Sequence, residues 1–162
     1  MKLEFGIGTR TETVEVLERN LLEILEPNEV TVARRGVEAV DYALENPIGA
    51  PKLRELLRSG QKVAIITSDI TRPMPTATVM PSLLDEIYRT GVRPQDVTLV
   101  FALGSHRPHT EEEKKKLAGE RAYHEINIED SNPNDCIHLG TTKAGTPVDI
   151  TRTVAEADVR IC

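Results

Sequence analysis

Two apolar runs constrain this chain more than anything else in it. Lys62 to Thr67 (KVAIIT) and Asp96 to Leu103 (DVTLVFAL) lack the polar alternation of a half-wet strand, so each reads as a strand buried on both faces of a parallel sheet. Between them Val79, Leu83, Leu84, Ile87 and Tyr88 recur at helical spacing, ending near Thr90 and Gly91. Strand, helix and strand make one βαβ unit, whose right-handed crossover puts both carboxyl ends on the same sheet edge. The expected fold is α/β: a Rossmann-like parallel-sheet core with helices on both faces and a small N-terminal β hairpin.

The flanking segments fill in that picture. Lys2 to Ile7 and Thr13 to Leu17 alternate around a turn-like Gly6 to Thr11 stretch, which predicts a hairpin with one wet face. Val37 to Leu44 has helical periodicity, stopped by Asn46, Pro47 and Gly49, and Pro51 is expected to open a second short helix through Leu57 that Gly60 closes. A helix over Thr110 to Leu117 has acids Glu111 to Glu113 in its first turn and Lys114 to Lys116 in its last, matching the helix dipole. Strands are predicted over His124 to Glu129, Ile137 to Leu139 and Val148 to Ile150, with a turn at Lys143 to Pro147. A brief helix at Thr151 to Glu156 and a buried strand over Ala157 to Cys162 complete the reading. Residues 1–45 are expected to form a hairpin and helix packing onto the core, and 46–162 the main α/β domain.

Composition excludes several classes. With 162 residues, a formal charge of -6 and scattered Lys and Arg, the chain repels nucleic-acid phosphates and anionic lipid. No apolar stretch approaches the roughly 20 residues of a membrane span, and MKLEFGIGTR lacks a signal-peptide core, so a cytoplasmic location is expected. Cys136 and Cys162 have no CxxC spacing and read as ordinary thiols. No GxGxxG, P-loop or GxSxG pattern occurs.

Chemistry concentrates in two loops. Ser68-Asp69-Ile70-Thr71-Arg72-Pro73 follows the first buried strand, and Gly104-Ser105-His106-Arg107-Pro108-His109-Thr110 follows the second. Ligands of open α/β sheets bind outside the strands' carboxyl ends, so these loops are the expected site. The imidazole of His106 suits acid/base work, Arg72 can grip a carboxylate or phosphate through two hydrogen bonds, and Asp69 can accept from hydroxyls or orient a base. Pro73 and Pro108 restrict Arg72 and Arg107 to extended conformations. Read singly, an Asp after a strand is more often a helix cap and a lone Arg a solvated charge; His109, His124 and His138 read as structural, and the two-histidine spacing of His106 and His109 lacks a third zinc ligand. The joint arrangement is the signal.

The segments NPIGAPKLRELL (46–57), SDITRPMP (68–75) and ALGSHRPHTEEE (102–113) resemble, in content, order and separation, the N-terminal domain of the nickel-dependent lactate racemase family, and VAEADVRIC resembles that family's approach to its cofactor segment. The resemblance implies a 2-hydroxyacid racemase or epimerase using a nickel pincer nucleotide as hydride acceptor while a histidine takes the hydroxyl proton. It implies that His106 is an acid/base residue and Arg72 positions the substrate. Asp69 and Thr71 would lie on the cofactor side, with Ser68, Gly104 and Arg107 as further binding candidates. The family's covalent lysine, second histidine and nickel-binding histidine match nothing here, so no metal ligand is expected in this chain. The chain reads as truncated before a C-terminal domain, its partner, and is expected to be inactive alone. Two other readings stay open: a non-catalytic module binding an anionic nucleotide or carboxylate at the same loops, and a metal-assisted hydrolase using Asp69, His106 and His109, which has too few ligands.

Overall fold

The computed structural model of the chain describes residues 1–72 and 74–162, so the predicted restraint of Arg72 by Pro73 lies outside the described residues. The fold divides into two compact units, Met1–Ala33 and Arg34–Cys162.

The first unit contains the expected hairpin, β1 (Lys2–Ile7) antiparallel to β2 (Arg10–Glu15). Ile7 pairs with Arg10, so the connection is a two-residue Gly8-Thr9 turn and the second strand begins earlier than predicted. The expectation of one dry face is corrected: apart from half-buried Leu3, the strand residues are exposed, including Phe5 and Val14. A two-stranded ribbon has too little surface to build a core by itself.

The second unit holds the core. Helix α1 (Gly36–Glu45) and the one-turn α2 (Leu53–Leu56) precede β3 (Val63–Ser68). Helix α3 (Thr76–Tyr88) crosses to β4 (Val97–Ala102); α4 (Glu111–Ala118) and α5 (Glu120–Glu125) lead to β5 (Asn127–Asp130). A hairpin, β6 (Cys136–Thr141) with β7 (Pro147–Thr151), is followed by α6 (Arg152–Ala155) and β8 (Val159–Ile161). Two local expectations are corrected. Pro51 stands ahead of the helix, which starts at Leu53 after the extended Lys52. His124 and Glu125 end a helix rather than begin a strand, because α5 buries Ala122 and fixes Arg121 to the Pro81 carbonyl and to Asp85.

The four strands β3, β4, β5 and β8 form one parallel sheet in the order β5-β4-β3-β8. The chain moves outward from β3 through β4 to β5, then returns to add β8 on the other side of β3, so the direction of winding reverses beside β3. On one face Ile65, Leu99 and Phe101 pack against Met80, Leu84 and Ile87 of α3, all at most 4% exposed. Each such side chain contributes on the order of 1.5–3 kcal/mol through burial, so the βαβ unit carries much of the core. Helices α1, α2, α4 and α5 gather around α3, while α6 touches β3, whose Ala64 alternates to the opposite face and is also buried.

Helix α4 is capped by its own sequence. The Thr110 hydroxyl accepts from the Glu113 N–H while the Glu113 carboxylate accepts from the Thr110 N–H, a capping box. Gly119 then separates α4 from α5 with φ +83°, and any Cβ there would stand 3.2 Å from that of Ala77, so α3 could not approach as closely with another residue. No helix among the described residues is long and apolar enough to cross a membrane.

Candidate functional site

The two candidate loops meet. β3 and β4 are direct neighbours whose last residues, Ser68 and Ala102, are paired in register, so both loops leave the same sheet edge side by side. A cleft of about 600 Å³ opens there, lined by Ser68, Asp69, Arg72, Gly104 and His106 and, from the far end of β8, by Cys162. It lies where the sheet changes winding direction, the position at which open α/β sheets bind ligands.

Asp69 and His106 form the centre. Oδ2 of Asp69 lies 2.5 Å from Nδ1 of His106. The side chain of Asp69 is 4% exposed and that of His106 48%, so the carboxylate is built into the scaffold and the imidazole is presented to the cleft. A carboxylate only accepts, so the hydrogen-bond network assigns a hydrogen to Nδ1, and in the neutral ring Nε2 is then the atom with the lone pair. Thr71 completes the arrangement: its hydroxyl donates to Asp69 Oδ1 at 2.7 Å and its N–H donates to the same oxygen at 3.1 Å. The Thr71 hydroxyl, with His106 and the Thr71 N–H adding to it, holds the Asp69 carboxyl below its ordinary 3.8 despite burial. The carboxylate therefore stays ionised at neutral pH and can stabilise an imidazolium beside it.

The other predicted residues separate into two groups. Arg72 lines the cleft, its backbone N–H donating to the Asp69 carbonyl at 3.1 Å. Gly104 turns the chain with φ +59° between β4 and His106, a left-handed conformation that side chains disfavour. Arg107, by contrast, forks onto the Glu113 carboxylate at 2.7 and 2.8 Å and donates to the Pro108 carbonyl, so its guanidinium braces the start of α4 instead of lining the cleft.

His109 is buried and does not line the cleft; its ring joins the Ile70 backbone to Asp130. Sequence reasoning passed over Asp130, although it ends strand β5 on the same sheet edge and the strand-end rule points to it. Cys162, which reads from sequence as an ordinary thiol, is a free thiol at the end of β8 on the cleft lining. Among the described residues no group of three or more His, Cys, Asp or Glu side chains is assembled to hold a metal ion, and the His109 ring is paired with Asp130 and the Ile70 N–H.

Comparison with known proteins places the chain in a family. Residues 7–162 match the family model of the lactate racemase N-terminal domain. The lactate racemase of Thermoanaerobacterium thermosaccharolyticum is 35% identical over 127 residues, covering 76% of this chain and 30% of that protein. The lactate racemase of Lactiplantibacillus plantarum is 34% identical over the same length. The chain thus spans about a third of the length of these relatives. Among solved structures, the lactate racemase apoprotein from T. thermosaccharolyticum superposes with a TM-score of 0.75 at 29% identity, covering 99% of this chain and 38% of its own. A Thermotoga maritima protein shares the fold, with a TM-score of 0.59 at 21% identity over 85% of this chain. Family model, curated relatives and superposed fold agree, and the chain belongs to the lactate racemase N-terminal domain family.

Proposed function

We propose that this chain supplies one acid/base half of a 2-hydroxyacid racemase or epimerase, His106 exchanging the proton of the substrate hydroxyl. The observation that carries the reading is the buried, ionised Asp69 behind an exposed His106. A carboxylate at Nδ1 fixes the tautomer and stabilises the imidazolium that forms when Nε2 takes a proton, an effect that in comparable acid/base pairs is worth a factor of 10² or more. Arg72, at the rim of the same cleft, offers the fork that grips the substrate carboxylate and orients its hydroxyl toward Nε2. Thr71 serves by holding Asp69, while Ser68 and the backbone around Gly104 are the surfaces against which a cofactor would rest.

The cofactor of this reading is a nickel pincer nucleotide, which when bound supplies the acceptor for the substrate's α-hydrogen as hydride. In this reading the Arg72 guanidinium in the cleft faces the anionic group of the mononucleotide, and the residues anchoring nickel are expected in a further domain. That domain is the partner this reading requires, and without it the 162-residue chain is expected to be inactive. A cytoplasmic location goes with this reading.

The test is racemisation of a panel of 2-hydroxy acids by the full-length gene product loaded with the cofactor, wild type against His106→Ala. Turnover abolished in a folded variant supports the assignment. Absence of turnover on every substrate, or an unimpaired variant, favours a module that binds an anionic ligand at the same loops without reaction.

A further inference from the structure

Beneath the acid/base pair lies a second histidine–aspartate pair that the proposed reaction does not use. His109 Nδ1 is 2.6 Å from Asp130 Oδ1, and Asp130 Oδ2 accepts from the His109 backbone N–H at 2.9 Å, so one carboxylate clamps both the ring and its main chain. On the other side of the ring, Nε2 accepts from the Ile70 N–H at 3.1 Å. That N–H belongs to the peptide immediately following Asp69. Three strand ends, those of β3, β4 and β5, are thereby tied together by one imidazole.

We propose that His109 is a positioning residue, holding the loop after β3 so that the Asp69 carboxylate meets His106. The inference deepens the racemase reading and rests on it for its catalytic consequence. The chemistry requires a neutral imidazole of one tautomer: Asp130 can only accept, so Nδ1 carries the hydrogen, and Nε2 must be bare to receive the Ile70 N–H. The side chain is 1% exposed, which removes it from contact with any substrate.

Packing alone does not explain a histidine here. The ring stands edge-on to Phe101, centroids 5.0 Å apart, a contact that a phenyl group would make equally well. Burying an imidazole and a carboxylate costs desolvation that an apolar pair avoids. Only imidazole presents a donor and an acceptor on opposite edges of one rigid ring, and both are used to fix the peptide beside Asp69.

The experiment is NMR on the 162-residue chain with labelled histidine rings and aspartate carboxyls. In the wild type His109 is expected as the Nδ1–H tautomer, and Asp69 titrates below 3.8. His109→Phe preserves the ring against Phe101 but leaves the Ile70 N–H without its acceptor; the Asp69 midpoint rises toward 3.8 and His106 loses its Nδ1–H preference. His109→Gln restores an acceptor at that position and keeps the wild-type Asp69 midpoint. An Nε2–H tautomer in the wild type, an unchanged Asp69 titration in folded His109→Phe, or failure of Gln to rescue would each overturn the proposal. The tautomer needs no variant, so it decides even if His109→Phe does not fold. None of these readouts involves turnover; they stand even if the full-length protein racemises nothing, the outcome that sinks the functional reading alone.

Discussion

Asp69 reaches His106 across the ends of two adjacent parallel strands, Oδ2 to Nδ1 at 2.5 Å, with the carboxylate buried and the imidazole facing the cleft. Replacing Asp69 with Asn removes the charge and lets an amide N–H face Nδ1, turning the ring to the wrong tautomer. The expected result for Asp69→Asn in the full-length protein is a fall in kcat of about 10²- to 10⁴-fold with little change in KM. Steady-state racemisation kinetics, with circular dichroism to confirm folding, check it.

Arg72→Lys is expected to separate binding from chemistry. Lysine keeps the charge but loses the planar fork, so KM for 2-hydroxy acids rises by about tenfold, some 1.4 kcal/mol of uniform binding, while kcat changes less. Arg107→Lys, at a guanidinium already committed to Glu113, leaves KM unchanged. Equal KM effects from both variants would contradict the assignment of Arg72 to the cleft.

Gly104→Ala tests the turn that presents His106. With φ +59° and no atom within 4 Å of an added Cβ, the cost is conformational and not steric, about 1–2 kcal/mol of stability by urea unfolding. A neutral substitution would mean that the loop finds another path.

How much of this was readable in advance depended on where each contact lies along the chain. Strands β3 and β4 were legible because burial on both faces leaves continuous apolar runs, and the meeting of their two loops followed from parallel pairing. Helix α5 was not, since its six residues are mostly polar and are held by Arg121 reaching Pro81, 40 residues away. The role of His109 was equally hidden: its partners, Ile70 and Asp130, stand 39 residues before it and 21 after. Arg107 looked like a ligand contact, although the Thr110-x-x-Glu113 spacing already announced the capping box that claims it.

Acid should loosen the fold through its paired carboxylates. Arg54, then Lys52, holds Glu45 down to about 2, and Arg107, then the Thr110 N–H, does the same for Glu113, against an ordinary 4.5 for each. Depressed carboxylates contribute stability that is complete above their unfolded value and lost as pH falls through the folded one. The urea midpoint should therefore hold down to about pH 4.5 and decline toward pH 2. Glu113→Gln should flatten that decline, and added salt should shrink it, since both pairs reach solvent.

Thr110→Ala removes the hydroxyl that accepts from the Glu113 N–H and is expected to cost about 1 kcal/mol. Thr110→Ser should recover most of it, as measured by thermal unfolding of the two variants side by side.

The in-register pairing of Ser68 with Ala102 has a consequence for how such a site can diversify. Strand separation, about 4.8 Å in any sheet, fixes only the roots of the two loops, while the Gly104 turn and the His109 tie to the Ile70 N–H bring Asp69 and His106 together. Exposed side chains on those loops, such as Ile70, Met74 and Ser105, are positions where a change in size or polarity alters the cleft surface while the loop roots keep their spacing. In the proposed reading, a descendant of this chain changes substrate through these exposed positions while the Gly104 turn and the His109 tie are kept.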